Sequence, residues 1–210
     1  MGRAGRERTG RAPATARTVA AFALVALLAS CGSSGATASP AADTEEAQAA
    51  VVVPSADCLA PEVLQALGLR LDASLAATAS SRETAAVPGT VPAGFDATGV
   101  LVCEVGGQML DGAGTWTAVT ATSRDGSAAD LAAVVTALAA PGPAADAPCE
   151  RAAPVVVWLV DAMDRAIRPQ VPVDACGAPS AAVLAALDRL AVTGVVDRPV
   201  ELVAPSPDAS

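Results

Sequence analysis

The chain has 210 residues, a net charge of −9 and a mean hydropathy of +0.46, which allows one domain with appendages. Histidine, lysine, tyrosine and asparagine are absent and isoleucine occurs once. Ser-His-Asp and Cys-His nucleophiles, histidine-ligated metal centres and lysine Schiff bases are thereby excluded, and an acidic body disfavours nucleic acid.

The acidity is uneven. Arg3, Arg6, Arg8, Arg11 and Arg17 face a single early acid, Glu7, so the rest of the chain is more acidic than the total suggests. The apolar run Val19–Leu28 follows, and then small residues: the layout of a secretory signal peptide. Ten helical residues rise only ~15 Å, about half a bilayer core, too short for a permanent span.

The tetrapeptide Leu28-Ala29-Ser30-Cys31 resembles the lipobox of bacterial lipoproteins position by position. That resemblance implies lipidation of the Cys31 sulfur, cleavage after Ser30 and a lipid-anchored protein on the extracytoplasmic face of the cell membrane. Acyl chains hold by burying methylenes at ~0.8 kcal/mol each. Residues 1–30 are thus expected to be the signal peptide and 31–54 a flexible acidic tether, rich in Gly, Ser, Ala and Thr around Asp43, Glu45 and Glu46. Such a composition buries too little apolar surface to offset its ordering entropy, and its reach is ~25–30 Å.

Residues 55–204 are expected to form a single α+β domain. Pro61–Gly68 carries helix signals, with proline and an acid in the first turn and glycine at the stop. Asp72–Gly94 lacks periodicity and reads as a surface loop. Gly99–Val105 and Thr115–Thr122 are rich in β-branched residues, and the intervening Gly106–Gly114 suggests a glycine-rich hairpin loop. Ser127 followed by Asp130 marks a capped helix whose Leu131, Val134, Val135 and Leu138 share one face.

Pro154–Val160 reads as a strand buried on both faces, since its apolar run does not alternate. Asp161–Asp164 is a turn, Arg165–Arg168 a return strand, and Pro169 and Pro172 impose an extended course. A helix opening at Pro179 carries Val183, Leu184, Leu187 and Leu190. Strand, loop, strand and helix occur twice, which predicts two ββα units sharing an antiparallel sheet of about four strands with two or three helices on one face. Residues 199–203 are a candidate edge strand, and 205–210 a disordered tail.

Cys58, Cys103, Cys149 and Cys176 remain once Cys31 is lipidated. An even number in an exported chain predicts two disulfides with three connectivities open; neighbour pairing, Cys58–Cys103 and Cys149–Cys176, is the expected one. Wide spacing argues against zinc on four thiolates. The opening Cys58–Gly68, with a second cysteine in a strand some 45 residues on, also resembles the start of certain actinobacterial lipoproteins, a group that brings no catalytic residues to carry over.

For chemistry, Asp161 with Asp164 is the best carboxylate pair and would suit a glycosidase-like dyad or a calcium site, although aspartate is also the ordinary turn residue beside a buried strand. The glycines near 106–114 lack the lysine and following helix of a phosphate loop. Pro169-Gln170-Val171-Pro172 matches a polyproline ligand pattern, though an extended connector accounts for it. No catalytic residue, cofactor or metal is assigned. The expectation is a non-enzymatic interaction or ligand-binding module of the cell envelope, with an envelope protein or small ligand as partner besides the membrane. The alternative is a carboxylate-dependent envelope hydrolase. A hydrolase calls for two acids converging in a cleft with a raised pKa, whereas a binding module calls for an exposed apolar patch or a dry pocket.

Overall fold

A computed structural model describes residues 48–76, 86–143 and 152–207, all within one compact unit, Glu45–Ser210. The order is α1 (Pro61–Ala66), α2 (Ala73–Ala76), β1 (Ala97–Asp111), β2 (Gly114–Asp125), α3 (Ala128–Ala139), β3 (Val155–Asp161), β4 (Ala166–Ile167), α4 (Ala181–Leu187) and β5 (Ala191–Pro205). The strands form one five-stranded antiparallel sheet in the order β4-β3-β1-β2-β5. Both expected hairpins enter this sheet, each followed by its helix.

Period-two alternation builds two cores, one on each face. Val100 and Val102 of β1 and Val157 and Leu159 of β3 point to the side covered by α3 and α4. Cys103 of β1 and Val156 and Trp158 of β3 point to the other, packed with Val63 and Leu64 of α1. The helices therefore lie on both faces, not on one as expected. The reason lies in β3: seven residues with no polar alternation need cover on each side, and α1 supplies the second layer.

A disulfide between Cys58 and Cys103 ties the approach to α1 to the middle of β1. Cys176 is also in disulfide form, while its expected partner Cys149 lies outside the described residues. Cys176 sits in a turn in which the Asp174 carboxylate accepts from the N–H groups of Cys176 and Ala178.

Local signals explain most boundaries. At α3, the Ser127 hydroxyl accepts from the Asp130 N–H while the Asp130 carboxylate accepts from the Ser127 N–H, a reciprocal capping box. At α4 the cap is Ser180, one residue beyond Pro179, and Leu184 is exposed while Ala186 takes the buried position. Helix α1 ends at Gly68, whose φ of +74° suits glycine alone at little cost.

Several expectations are corrected. The glycine-rich loop is mostly strand: β1 runs to Asp111, a one-residue bulge near Gly106–Gly107 absorbs the glycines, and Gly112-Ala113 makes the turn. The Asp111 carboxylate closes that turn, accepting from the N–H groups of Ala113 and Gly114 and from the Trp116 indole. The sheet has five strands rather than four, because β5 begins at Ala191, well before residue 199. Residues 48–53, expected in the tether, pack on the unit instead. Ala50 and Val53 are buried, and Val53 exchanges both backbone hydrogen bonds with Ala166, which an apolar Val51-Val52-Val53 run favours. The return strand shortens to two residues. At the far end, Ser206 donates its N–H to the Ala113 carbonyl, so the fold extends past 205; 208–210 lie outside the described residues, as do Cys31, the expected signal peptide and residues 31–47 of the expected tether.

Candidate functional site

Three segments meet at the outer side of the α3/α4 face: residues 89–95, the C-terminal half of α3, and the extended run 169–173. The first and third are joined at Gly89. Its N–H donates to the Arg168 carbonyl and its carbonyl accepts from Gln170, while a Cβ there would collide with the backbone of Gln48–Ala50. Only glycine lets three chain segments pass so closely. Thr90 continues the contact, donating its N–H to the Gln48 carbonyl. Pro169 and Pro172 hold the third segment extended, as expected from the sequence, and the Ser180 N–H caps it at the Pro172 carbonyl.

Between these walls runs a groove of about 690 Å³, lined chiefly by Val91, Pro92, Phe95, Val135, Leu138 and Val171. Among the described residues none that lines it carries a charge, in a chain where 17% of residues do; Thr90 and Gln170 supply the polar side chains. This size and chemistry match a small-molecule site: mostly apolar, with a few groups that can orient a ligand. Phe95 and Val135 also belong to the margin of the α3/α4 core, so the groove floor is continuous with packed interior.

The groove was not legible as a site beforehand. Val135 and Leu138 are ordinary helix-face residues, and Pro169–Pro172 read as a connector. The one available signal was the concentration of prolines at 92, 169 and 172 around a lone Phe95, which marks stiff extended walls that do not collapse onto an aromatic floor.

The acids arrange themselves differently from a catalytic pair. Asp161 stands at the end of β3, and its carboxylate accepts from the Met163 and Arg165 N–H groups and from the Arg165 guanidinium at 2.8 and 2.7 Å. Burial raises its pKa, but these donors outweigh burial and hold it below the ordinary 3.8. That is the signature of an aspartate nucleating a tight turn, completed by Asp164 at φ +60°. Asp161 and Asp164 do share a second hollow, with Asp125 on its rim, yet Asp161 is fully committed to Arg165 there. Glu104 on β1 faces Thr120 and Val155 across the sheet rather than another acid. Among the described residues no three cysteine, aspartate or glutamate side chains gather closely enough to hold a metal.

Both tryptophans are interior. Trp158 is fully buried beneath α1, and Trp116 is buried with its indole N–H on Asp111, which lowers the pKa of that carboxyl as well. Under α1, Glu62 takes the Ala86 N–H on its carboxylate while its backbone carbonyl takes the Arg168 guanidinium. Burial pushes the Arg168 pKa below its ordinary value, and the neighbouring Glu62 charge opposes the shift. This cluster anchors α1 and the 86–91 segment, and so supports the groove from behind. Among the described residues no helix is long and apolar enough to cross a membrane. The chain matches no protein-family model, no curated protein and no solved structure.

Proposed function

We propose that this protein is a lipid-anchored, extracytoplasmic module of the cell envelope that binds an uncharged, mainly apolar ligand in the groove between residues 89–95, α3 and 169–173. The observation that carries the ligand reading is that the described residues of the groove wall are uncharged in a strongly acidic chain. A charged ligand entering it would lose hydration with no countercharge to replace it, whereas an apolar one gains from burial. Placement outside the cytoplasm is supported by the Leu28–Cys31 lipobox resemblance and by a fold cross-linked through Cys58–Cys103, since disulfides persist in oxidising compartments. In this reading Cys149 completes the second disulfide with Cys176, which non-reducing peptide mapping tests directly.

The alternative hydrolase reading finds no support at Asp161, whose pKa moves down and whose oxygens are occupied by Arg165. Two experiments test the proposal. An uncharged naphthylamine probe should brighten on the native chain, and Val135→Asp or the groove-filling Ala139→Trp should abolish the signal while leaving the circular dichroism spectrum intact. Equal brightening on both variants overturns the groove. Mass spectrometry of the mature amino terminus should find an acylated Cys31, and Cys31→Ala should release the protein from membranes; an unmodified terminus overturns the anchor.

A further inference from the structure

Two walls of the groove begin as a short parallel ladder. Gly89 pairs with Pro169: the Gly89 N–H donates to the Arg168 carbonyl, and the Gln170 N–H donates to the Gly89 carbonyl. Thr90 turns the other way, donating to the Gln48 carbonyl and accepting from the Ala50 N–H. Extended backbone alternates in this manner, so the N–H and carbonyl of Val91 turn back toward the 169–173 run. Pro92 behind it keeps Val91 extended. A continued ladder would join the Val91 N–H to the Gln170 carbonyl and the N–H of residue 172 to the Val91 carbonyl. Residue 172 is proline and has no N–H to give. The ladder stops there, the two segments part, and the groove opens at the fork. Among the described residues, neither polar backbone group of Val91 has a hydrogen-bond partner, and neither has the Gln170 carbonyl.

We infer that the groove takes an extended, uncharged peptide segment with apolar side chains, one residue of which pairs its N–H and carbonyl with those of Val91. The inference rests on the groove reading above and narrows its ligand class. An extended residue carries one donor and one acceptor on the same side, the complement of what Val91 presents. Its neighbour in the segment faces the opposite way and offers its N–H to the Gln170 carbonyl. Side chains stand perpendicular to those bonds, so every second one lies on the apolar floor of Phe95, Val135 and Leu138. A hydrocarbon would cover the same walls but would shut three backbone groups off from water unpaired, at roughly a tenfold loss of affinity for each. A charged segment would find no countercharge among the described lining residues. Main-chain bonds thus supply affinity and the apolar floor supplies side-chain selectivity, as in other sites that take an added strand.

The test uses the full chain and three competitors of the naphthylamine probe: a leucyl-valyl-leucine peptide blocked at both ends, the same peptide methylated at every internal backbone nitrogen, and butylbenzene, which has no hydrogen-bonding group. Methylation keeps the apolar surface and removes the donors. The unmethylated peptide should displace the probe at a concentration at least about tenfold lower than either of the others, as the loss of one or more backbone bonds requires. It should also slow hydrogen exchange at the Val91 amide at least about tenfold, while butylbenzene leaves that amide unchanged. Equal displacement by the methylated and unmethylated peptides, or Val91 exchange that the peptide does not slow, overturns the inference; a probe that still brightens then leaves the apolar groove standing. Exchange at Val91 reads the peptide directly, so a probe that fails to brighten strikes the groove reading alone, and failure of both readouts overturns both.

Discussion

Removing the Cys58–Cys103 bridge should cost this fold more than any single packing contact. The two cysteines are 45 residues apart, and both are buried in the core that α1 shares with β3. Closing a loop of that length removes chain entropy from the unfolded state worth ~4 kcal/mol at 25 °C. Helix α1 has six residues, too few to persist without tertiary support, so the bridge also sets where that helix docks. The double variant Cys58→Ala/Cys103→Ala should therefore lose ~4 kcal/mol, a large part of the ~5–15 kcal/mol available to a typical domain. Its melting temperature should fall by roughly 8–16 °C for a unit of this size. Urea unfolding followed by tryptophan fluorescence suits the measurement, because Trp116 on β2 and Trp158 on β3 are both buried. A loss below about 1 kcal/mol would refute the argument, since it would mean that apolar packing alone confines α1 as tightly as the covalent link does.

Three further outcomes follow from the same contacts. Ser127→Ala removes the hydroxyl half of the α3 capping box and should cost ~1 kcal/mol by urea midpoint, with Ser127→Gly milder. Asp161 binds its proton less readily when folded than when unfolded, so its contribution is complete above the ordinary carboxylate pKa of 3.8 and is lost as pH falls through the lower folded value. Thermal stability should be flat against this group above about pH 5 and decline below about pH 4, and Asp161→Asn should flatten that acid limb. Gly114 has φ +143°, and a Cβ there would overlap the Ala204 carbonyl, so Gly114→Ala should open the β2–β5 junction and raise hydrogen exchange at Ser206, whose N–H bonds to Ala113.

The local elements were legible where a residue type acts on its own neighbours. Ser127 with Asp130 announced α3 because the capping bonds close within four residues, and Pro61 and Gly68 bracketed α1 through backbone preference alone. The unbroken apolar run of β3 announced burial on both sides, and Asp161 announced a turn. Even the Cys58–Cys103 pairing was available, as one of the two neighbour pairs among the four cysteines that follow Cys31.

What tertiary structure alone decided is everything that depends on which surfaces meet. Periodicity says that β3 needs two covers but not that α1 provides the second, and so it misplaced the helices onto one face. β5 hid because an edge strand tolerates the Pro199, Asp197 and Arg198 that argue against a strand in isolation, its hydrogen bonds to β2 overriding weak local preference. The groove hid for a different reason: its walls come from three segments distant in sequence, two of them joined by the close passage at Gly89, and no residue in any one of them carries chemistry by itself. Local sequence determines turns, caps and strand character because those forces act within a few residues; concavity and exposed edges are properties of how layers stack, and only the folded chain contains them.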